Sequence, residues 1–380
     1  MDWLLWVFIA SSVLYIFVFA IISLFYREDK LSTPSDIHQS TFLILFPAYH
    51  EDAVIISSVR KCLKQDYPQD KYHIGVISDH MSDATNAELQ QFPITLFLPT
   101  FDKSSKAKAL QHAIDHIKAN YDYVVILDAD NHVEPTFLNQ LNTYCQQGYQ
   151  AIQCHRCAKN SDNSISVLDG VSEEINNSLF RRAQNTVGLS SGLIGSGMCF
   201  EYQLFKANVH SLCTAVEDRE LEALLLKQDI FIKYVNNINV FDEKVNNQQN
   251  FQRQRLRWMS GQVQSFCAML PYLPKALKTG NINYINKTLQ EALIPRSILI
   301  AITFMASVLI TIISPFDSLK WWILFFLTCL TLIMATPAYL RKRSVFENLY
   351  IFPALASRML LNLLHINRKS KDFIHTTHNH

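Results

Sequence analysis

Residues 123–130 read Tyr-Val-Val-Ile-Leu-Asp-Ala-Asp, and this stretch decides the fold. A short continuous apolar run that ends in polar residues is the pattern of a strand covered on both faces. The two acids, one residue apart, then stand just beyond the strand's carboxyl end. The same grammar recurs upstream in FLILF (42–46), HIGVIS (73–78) and ITLFL (94–98). Helical patterns separate these runs at about 52–65, 83–91 and 104–119. Strands alternating with amphipathic helices imply a parallel sheet with helices on both sides, and ligands of such folds sit beyond the carboxyl ends of the strands.

Downstream the pattern loosens. It gives a helix from Ser164 to Gln184, a glycine-rich stretch LSSGLIGSGMCF (189–200) and a helix from Glu217 to Lys227. A cationic helix rich in Gln and Arg follows over 247–270, the composition of an element lying at a bilayer surface.

The chain has 380 residues with 34 Lys and Arg against 33 Asp and Glu, a balance that offers no nucleic-acid signature. Its apolar excess is concentrated in blocks. Leu4 to Phe25 carries no charge, is long enough to cross a bilayer, and is flanked by Trp3, Trp6 and Tyr26. Asp2 precedes it and no small-residue cleavage site is evident, which favours an uncleaved anchor over a signal peptide. Ile298–Ile313 and Trp321–Leu340 form a second pair of spans around the break Ser314-Pro315-Phe316-Asp317-Ser318. Arg27 and Lys30 after the first block, and Arg341-Lys342-Arg343 after the last, put the region between in the cytoplasm of an integral membrane protein. Val345 to Ile366, broken by Pro353, Arg358 and His365, reads as an interfacial helix rather than a fourth span.

The layout expected is therefore an anchor at 1–26, an α/β domain at 40–245, interfacial helices at 246–293, a transmembrane hairpin at 294–340 and an interfacial or cytoplasmic tail at 341–380. Most of the eight cysteines fall in the cytoplasmic part, where thiols stay reduced. Cys154-His155-Arg156-Cys157 lacks a second pair at ligand spacing and sits on a strand pattern, so a zinc site is not inferred. The terminal His375, His378 and His380 read as a tail.

Candidate chemistry gathers at the strand ends. Asp128 and Asp130 could hold a hard cation beside a diphosphate, although such triplets also arise by chance. Asp79 could accept a hydrogen bond from a nucleobase, while Ser82, Asp83 and Thr85 suit a helix cap. Pro47, Tyr49 and Glu51 could wall the same pocket. Lys106 and Lys108 open a helix against its dipole, which calls for a nearby anion; a diphosphate fits, and Lys108 reads equally as solvent-facing. Of Glu217 and Asp218, first-turn electrostatics explains one and a general base the other. Gln254, Arg257 and Trp258 suit a phosphate and a sugar face, whereas Arg253 and Arg255 read as snorkelling side chains.

In this order, FPAYHED, the Asp79 strand end, Asp128-Ala129-Asp130, Glu217-Asp218 and QRLRW resemble the membrane-bound, inverting family 2 glycosyltransferases. The resemblance covers residues 40–270 and implies a GT-A fold, a Rossmann-like mixed sheet with flanking helices, plus transmembrane helices. It implies that Pro47, Tyr49, Glu51, Asp79, Lys106 and Asp128 bind a nucleotide-sugar, with a UDP-sugar as the donor expected, and that Asp130 ligates Mg2+ or Mn2+. Asp218 becomes the base; Gly197, Glu217, Gln254, Arg257 and Trp258 serve acceptor and diphosphate. Ser105 and Val216 depart from the family's usual glycine and threonine. The partners implied are a lipid-linked or saccharide acceptor and the bilayer. Two rivals are a processive synthase of a β-linked polymer, for which three spans are few, and a catalytically silent nucleotide-binding scaffold.

Overall fold

The computed structural model describes residues 2–28, 38–245, 247–341 and 347–348. Lys30, Lys342-Arg343, the expected interfacial helix at 345–366 (apart from Glu347 and Asn348) and the terminal histidines lie outside them.

Eight strands form one sheet: β1 (Phe42–Tyr49), β2 (Tyr72–Asp79), β3 (Thr95–Phe97), β4 (Tyr123–Ile126), β5 (His132–Val133), β6 (Ala151–Ala158), β7 (Met198–Glu201) and β8 (Ile232–Asp242). Their order is β3-β2-β1-β4-β7-β6-β8-β5. The first four are the runs legible in the sequence, and they pair in parallel. Antiparallel β7 then joins β4 to β6, so the sheet is mixed rather than wholly parallel.

The helices are α1 (Asp2–Ser23), α2 (Ile55–Cys62), α3 (Asp83–Leu89), α4 (Lys106–His116), α5 (Phe137–Cys145), α6 (Ser164–Asn177) and α7 (Ala183–Thr186). After them come α8 (Tyr202–Val209), α9 (Glu217–Lys227), α10 (Gln248–Met269), α11 (Leu273–Thr279), α12 (Ile282–Ala292), α13 (Arg296–Ile313) and α14 (Pro315–Ala335). The continuous apolar run of β1 serves both faces of the sheet. Phe42, Ile44 and Phe46 pack with Val59 of α2 and Leu141 of α5, while Leu43 and Leu45 pack with Leu110 of α4 and Leu225 of α9. A period of two divides one strand between two cores.

A third core joins α1, α13 and α14 to α6 through Ile16, Leu299, Leu324 and Ile175. Among the described residues three helices, α1, α13 and α14, are long and apolar enough to cross a membrane. Asp2 pairs with Lys320 and accepts a hydrogen bond from Trp321 (2.9 Å), which places the heads of α1 and α14 side by side. The turn from α13 to α14 is shorter than the five-residue break expected. Only Ser314 is non-helical, because Pro315 takes the first helical position, where its missing N–H costs nothing.

Candidate active site

Tyr49, Asp79 and the Asp128–Asp130 loop all lie at carboxyl ends of parallel strands, where β2, β1 and β4 stand adjacent. Pro47, Tyr49, Glu51, Asp79, Lys106, Asp128, Asp130, Glu217, Asp218, Gln254, Arg257 and Trp258 line one cavity of about 890 Å³. Gly197 does not. It carries φ +61°, and a β-carbon there would fall 2.9 Å from Cγ2 of Val240, so this glycine serves close packing between strands. Gly195, at φ +85°, lines the cavity instead.

At one end, Asp79 Oδ1 meets His80 Nδ1 at 2.6 Å. His50 and His80 take left-handed backbone (φ 54° and 57°), and the Tyr49, His50 and His80 rings cluster with centroids 4.5–5.5 Å apart. The α3 cap is Ser82, whose Oγ accepts from Thr85 N at 3.2 Å.

At the centre, Lys106 Nζ donates to Asp128 Oδ1 and to the Gly195 carbonyl (2.6 Å), and lies 3.7 Å from Glu217 Oε1. The anion that its helix-start position demanded is thus supplied by the protein's own carboxylates. Lys106 and Asp218 converge beside Gly195: a β-carbon on it would lie 3.7 Å from Lys106 Nζ and 3.6 Å from Asp218 Oδ2. Burial pushes the Glu217 carboxyl up to about 7, Lys106 opposing the shift and Asp218 adding to it. Lys108 reaches only the Lys103 carbonyl at the surface.

Asp130 is buried; its Oδ2 accepts from Glu243 N at 2.8 Å and its Oδ1 from Asn131 Nδ2 at 3.1 Å. Asp128 and Asp130 offer hard oxygen donors, the type Mg2+ or Mn2+ takes. Among the described residues no three His, Cys, Asp or Glu side chains form a ready-made cage. A cation on these acids would complete its shell with diphosphate and water oxygens, a common arrangement for Mg2+.

Arg255, expected at a membrane surface, instead turns into the cavity. It pairs with Asp169, and its guanidinium lies 4.7 Å from the Trp258 ring centroid and 4.8 Å from that of Phe251. Arg253 is exposed. Gln254 Oε1 is buried with no hydrogen-bond partner among the described residues.

Sequence reading missed the buried ion network in the cavity wall. Arg156 meets Glu173 at 2.8 Å, Lys244 meets Asp242 at 2.7 Å and Glu173 at 3.5 Å, and Arg181 lies 3.7 Å from Glu173. Burial alone would raise the Glu173 carboxyl, but Arg156, Lys244 and Arg181 together hold it well below the usual carboxylate range. Arg156 Nη1 also donates to the Ile194 carbonyl (3.2 Å), which fixes the glycine-rich loop. A charge inside the strand pattern AIQCHRCA was the available signal.

Residues 38–261 match the family model described as glycosyltransferase like family 2. No curated protein matches the chain. Among solved structures, the chain is similar to one described as mannosyltransferase PcManGT from Pyrobaculum calidifontis in complex with GDP-Man and Mn2+, at 16% identity and TM-score 0.55 over 86% of this chain and 94% of that one. It is also similar to S. aureus TarS 1-349 in complex with UDP-GlcNAc, at 12% identity and TM-score 0.45 over 85% and 89% of the two chains. A third is glucosyl-3-phosphoglycerate synthase from Mycobacterium tuberculosis in complex with Mn2+, UDP and glucosyl-3-phosphoglycerate, at 19% identity and TM-score 0.38 over 56% and 74%.

Proposed function

Because this chain belongs to glycosyltransferase family 2 and has the GT-A fold, we propose that it transfers one sugar from a nucleotide-sugar donor, with inversion, to a hydroxyl acceptor at the cytoplasmic membrane face. The observation that carries this is the convergence at Gly195, where Asp218 and Lys106 both come within 4 Å of one β-carbon position in the shared cavity.

The nucleotide lies against Pro47, Tyr49, Glu51 and Asp79. Its diphosphate lies towards Asp128 and Asp130, the residues that would hold a divalent cation and with it supply neutralising charge for the leaving diphosphate. Arg257 adds a fixed cation for the same charge. Asp218 takes the proton of the acceptor hydroxyl as the oxygen attacks the anomeric carbon, a role typically worth about 100- to 10,000-fold. One in-line displacement inverts the anomeric centre. Lys106 passes from Asp128 to the donor's phosphates as these arrive. Gln254 Oε1 accepts from a sugar hydroxyl, which ends its isolation, and Trp258 stacks on the sugar's C–H face.

The test is nucleotide release by the purified full-length protein with a panel of UDP- and GDP-sugars, Mn2+ and membrane lipid extract. Metal-dependent release with a single added sugar supports the reading. A ladder of long products favours a processive synthase, and no release with any donor revives the silent scaffold.

A further inference from the structure

The cavity that holds Asp218 also reaches the apolar helices, where Ile16 of α1, Ile175 of α6, Ile300 of α13 and Leu332 and Ile333 of α14 line it. A site that is polar at one end and apolar among candidate membrane spans at the other suits a ligand with an apolar tail and a polar head.

Arg296 stands where the two parts meet. It is the first residue of α13, one turn before Ile300, and it lines the cavity. Its Nη2 donates to Ser172 O (3.1 Å), Ser172 Oγ (3.3 Å) and Asn176 Oδ1 (2.7 Å). All three acceptors are neutral. The charged groups facing it are Arg255, Glu173 and Arg181. Glu173 is already shared by Arg156, Arg181 and Lys244, and Arg255 pairs with Asp169. Among the described residues no carboxylate lies within ion-pair distance of Arg296. The residue is half-buried at the cavity wall, and a guanidinium whose hydrogen bonds all end on neutral acceptors keeps its charge available to an anion. Its planar fork matches a phosphate, and the head of α13 adds the positive end of a helix dipole.

We propose that the acceptor is a lipid with a phosphate or phosphodiester head, held by Arg296 with its chain in the lobe between α1, α6, α13 and α14. This rests on the function proposed above and narrows its acceptor to one chemical class. The sugar-accepting hydroxyl belongs to the same head group and faces Asp218.

The test is equilibrium binding to full-length protein in phosphatidylcholine nanodiscs, using dodecyl phosphate, dodecanol and inorganic phosphate as probes, with UDP and GDP binding followed on the same samples. Dodecyl phosphate should bind at least about tenfold more tightly than either other probe. Arg296→Gln should remove that advantage and Arg296→Lys keep part of it, while Ile300→Trp should block dodecyl phosphate; nucleotide binding should persist in all three. Equal binding of dodecanol and dodecyl phosphate by the unaltered protein overturns the proposal, whether or not the variants fold. Inorganic phosphate binding as tightly as the lipid marks a free-anion site and overturns it too. Loss of nucleotide binding in folded Arg296→Gln would assign this arginine to the donor's diphosphate instead. Failure of UDP and GDP to bind the unaltered protein counts against the transferase reading alone, since the lipid probes are read separately.

Discussion

Gly261 of α10 lies directly against Val216, the residue that precedes the Glu217-Asp218 pair: a β-carbon on Gly261 would fall 2.4 Å from Val216 Cγ1. Contact this close locks the helix bearing Gln254, Arg257 and Trp258 to the start of the helix bearing Asp218.

Gly261→Ala should therefore force α10 away from α9. Overpacking of this kind costs about 1–3 kcal/mol, and a shift near 1 Å at reacting groups can cost about 100-fold in rate. We expect kcat to fall more than donor affinity, and Gly261→Ala combined with Val216→Ala to recover most of the loss. Steady-state kinetics of the two variants checks this; equal rates in Gly261→Ala and the unaltered protein contradict it.

The raised Glu217 carboxyl sets a pH dependence. Its value in the folded protein is about 7 against an ordinary 4.5, so the folded state holds a proton that the unfolded chain releases. The stability this contributes is fully present below about 4.5 and is lost as pH rises through about 7. Glu217→Gln should flatten the fall in Tm across that window. Parallel Tm curves for the two proteins would show that Glu217 titrates normally.

Glu173→Ala should strand three cations, Arg156, Arg181 and Lys244, in the cavity wall. Breaking a buried ion pair from one side typically costs about 3–5 kcal/mol. Denaturant unfolding should show a loss of that order, together with weaker order in the 189–197 loop that Arg156 helps hold.

Asp130→Asn should raise the Mn2+ concentration needed for tight nucleotide binding while leaving metal-free binding unchanged. Titration of nucleotide binding against Mn2+ reads this directly. Unaltered metal dependence would move the cation off Asp130.

The first half of the sheet was legible because β1, β2, β3 and β4 are continuous apolar runs, and parallel pairing needs nothing else to be recognised. The later strands were harder. Met198–Glu201 is four residues inside a glycine-rich stretch, and its antiparallel place between β4 and β6 depends on long-range pairing. Lys106 showed in the sequence that some anion was needed, but its partners, Asp128 and Glu217, lie 22 and 111 positions away, beyond any local pattern. Arg255 was misread because helical spacing shows which residues share a face but not what that face meets, and Asp169 is 86 positions distant. In the same way two glycines two residues apart look alike until φ and neighbours separate Gly195 at the cavity from Gly197 in the core.

Asp218, in the proposed mechanism, acts on the acceptor rather than on the donor. Asp218→Asn in full-length protein, assayed for donor binding and for single-turnover sugar transfer with a donor found competent in the nucleotide-release panel, tests it most directly. Donor affinity should stay within about threefold of the unaltered protein while transfer slows by at least about 100-fold. Transfer at the unaltered rate, or a loss confined to donor binding, would contradict it.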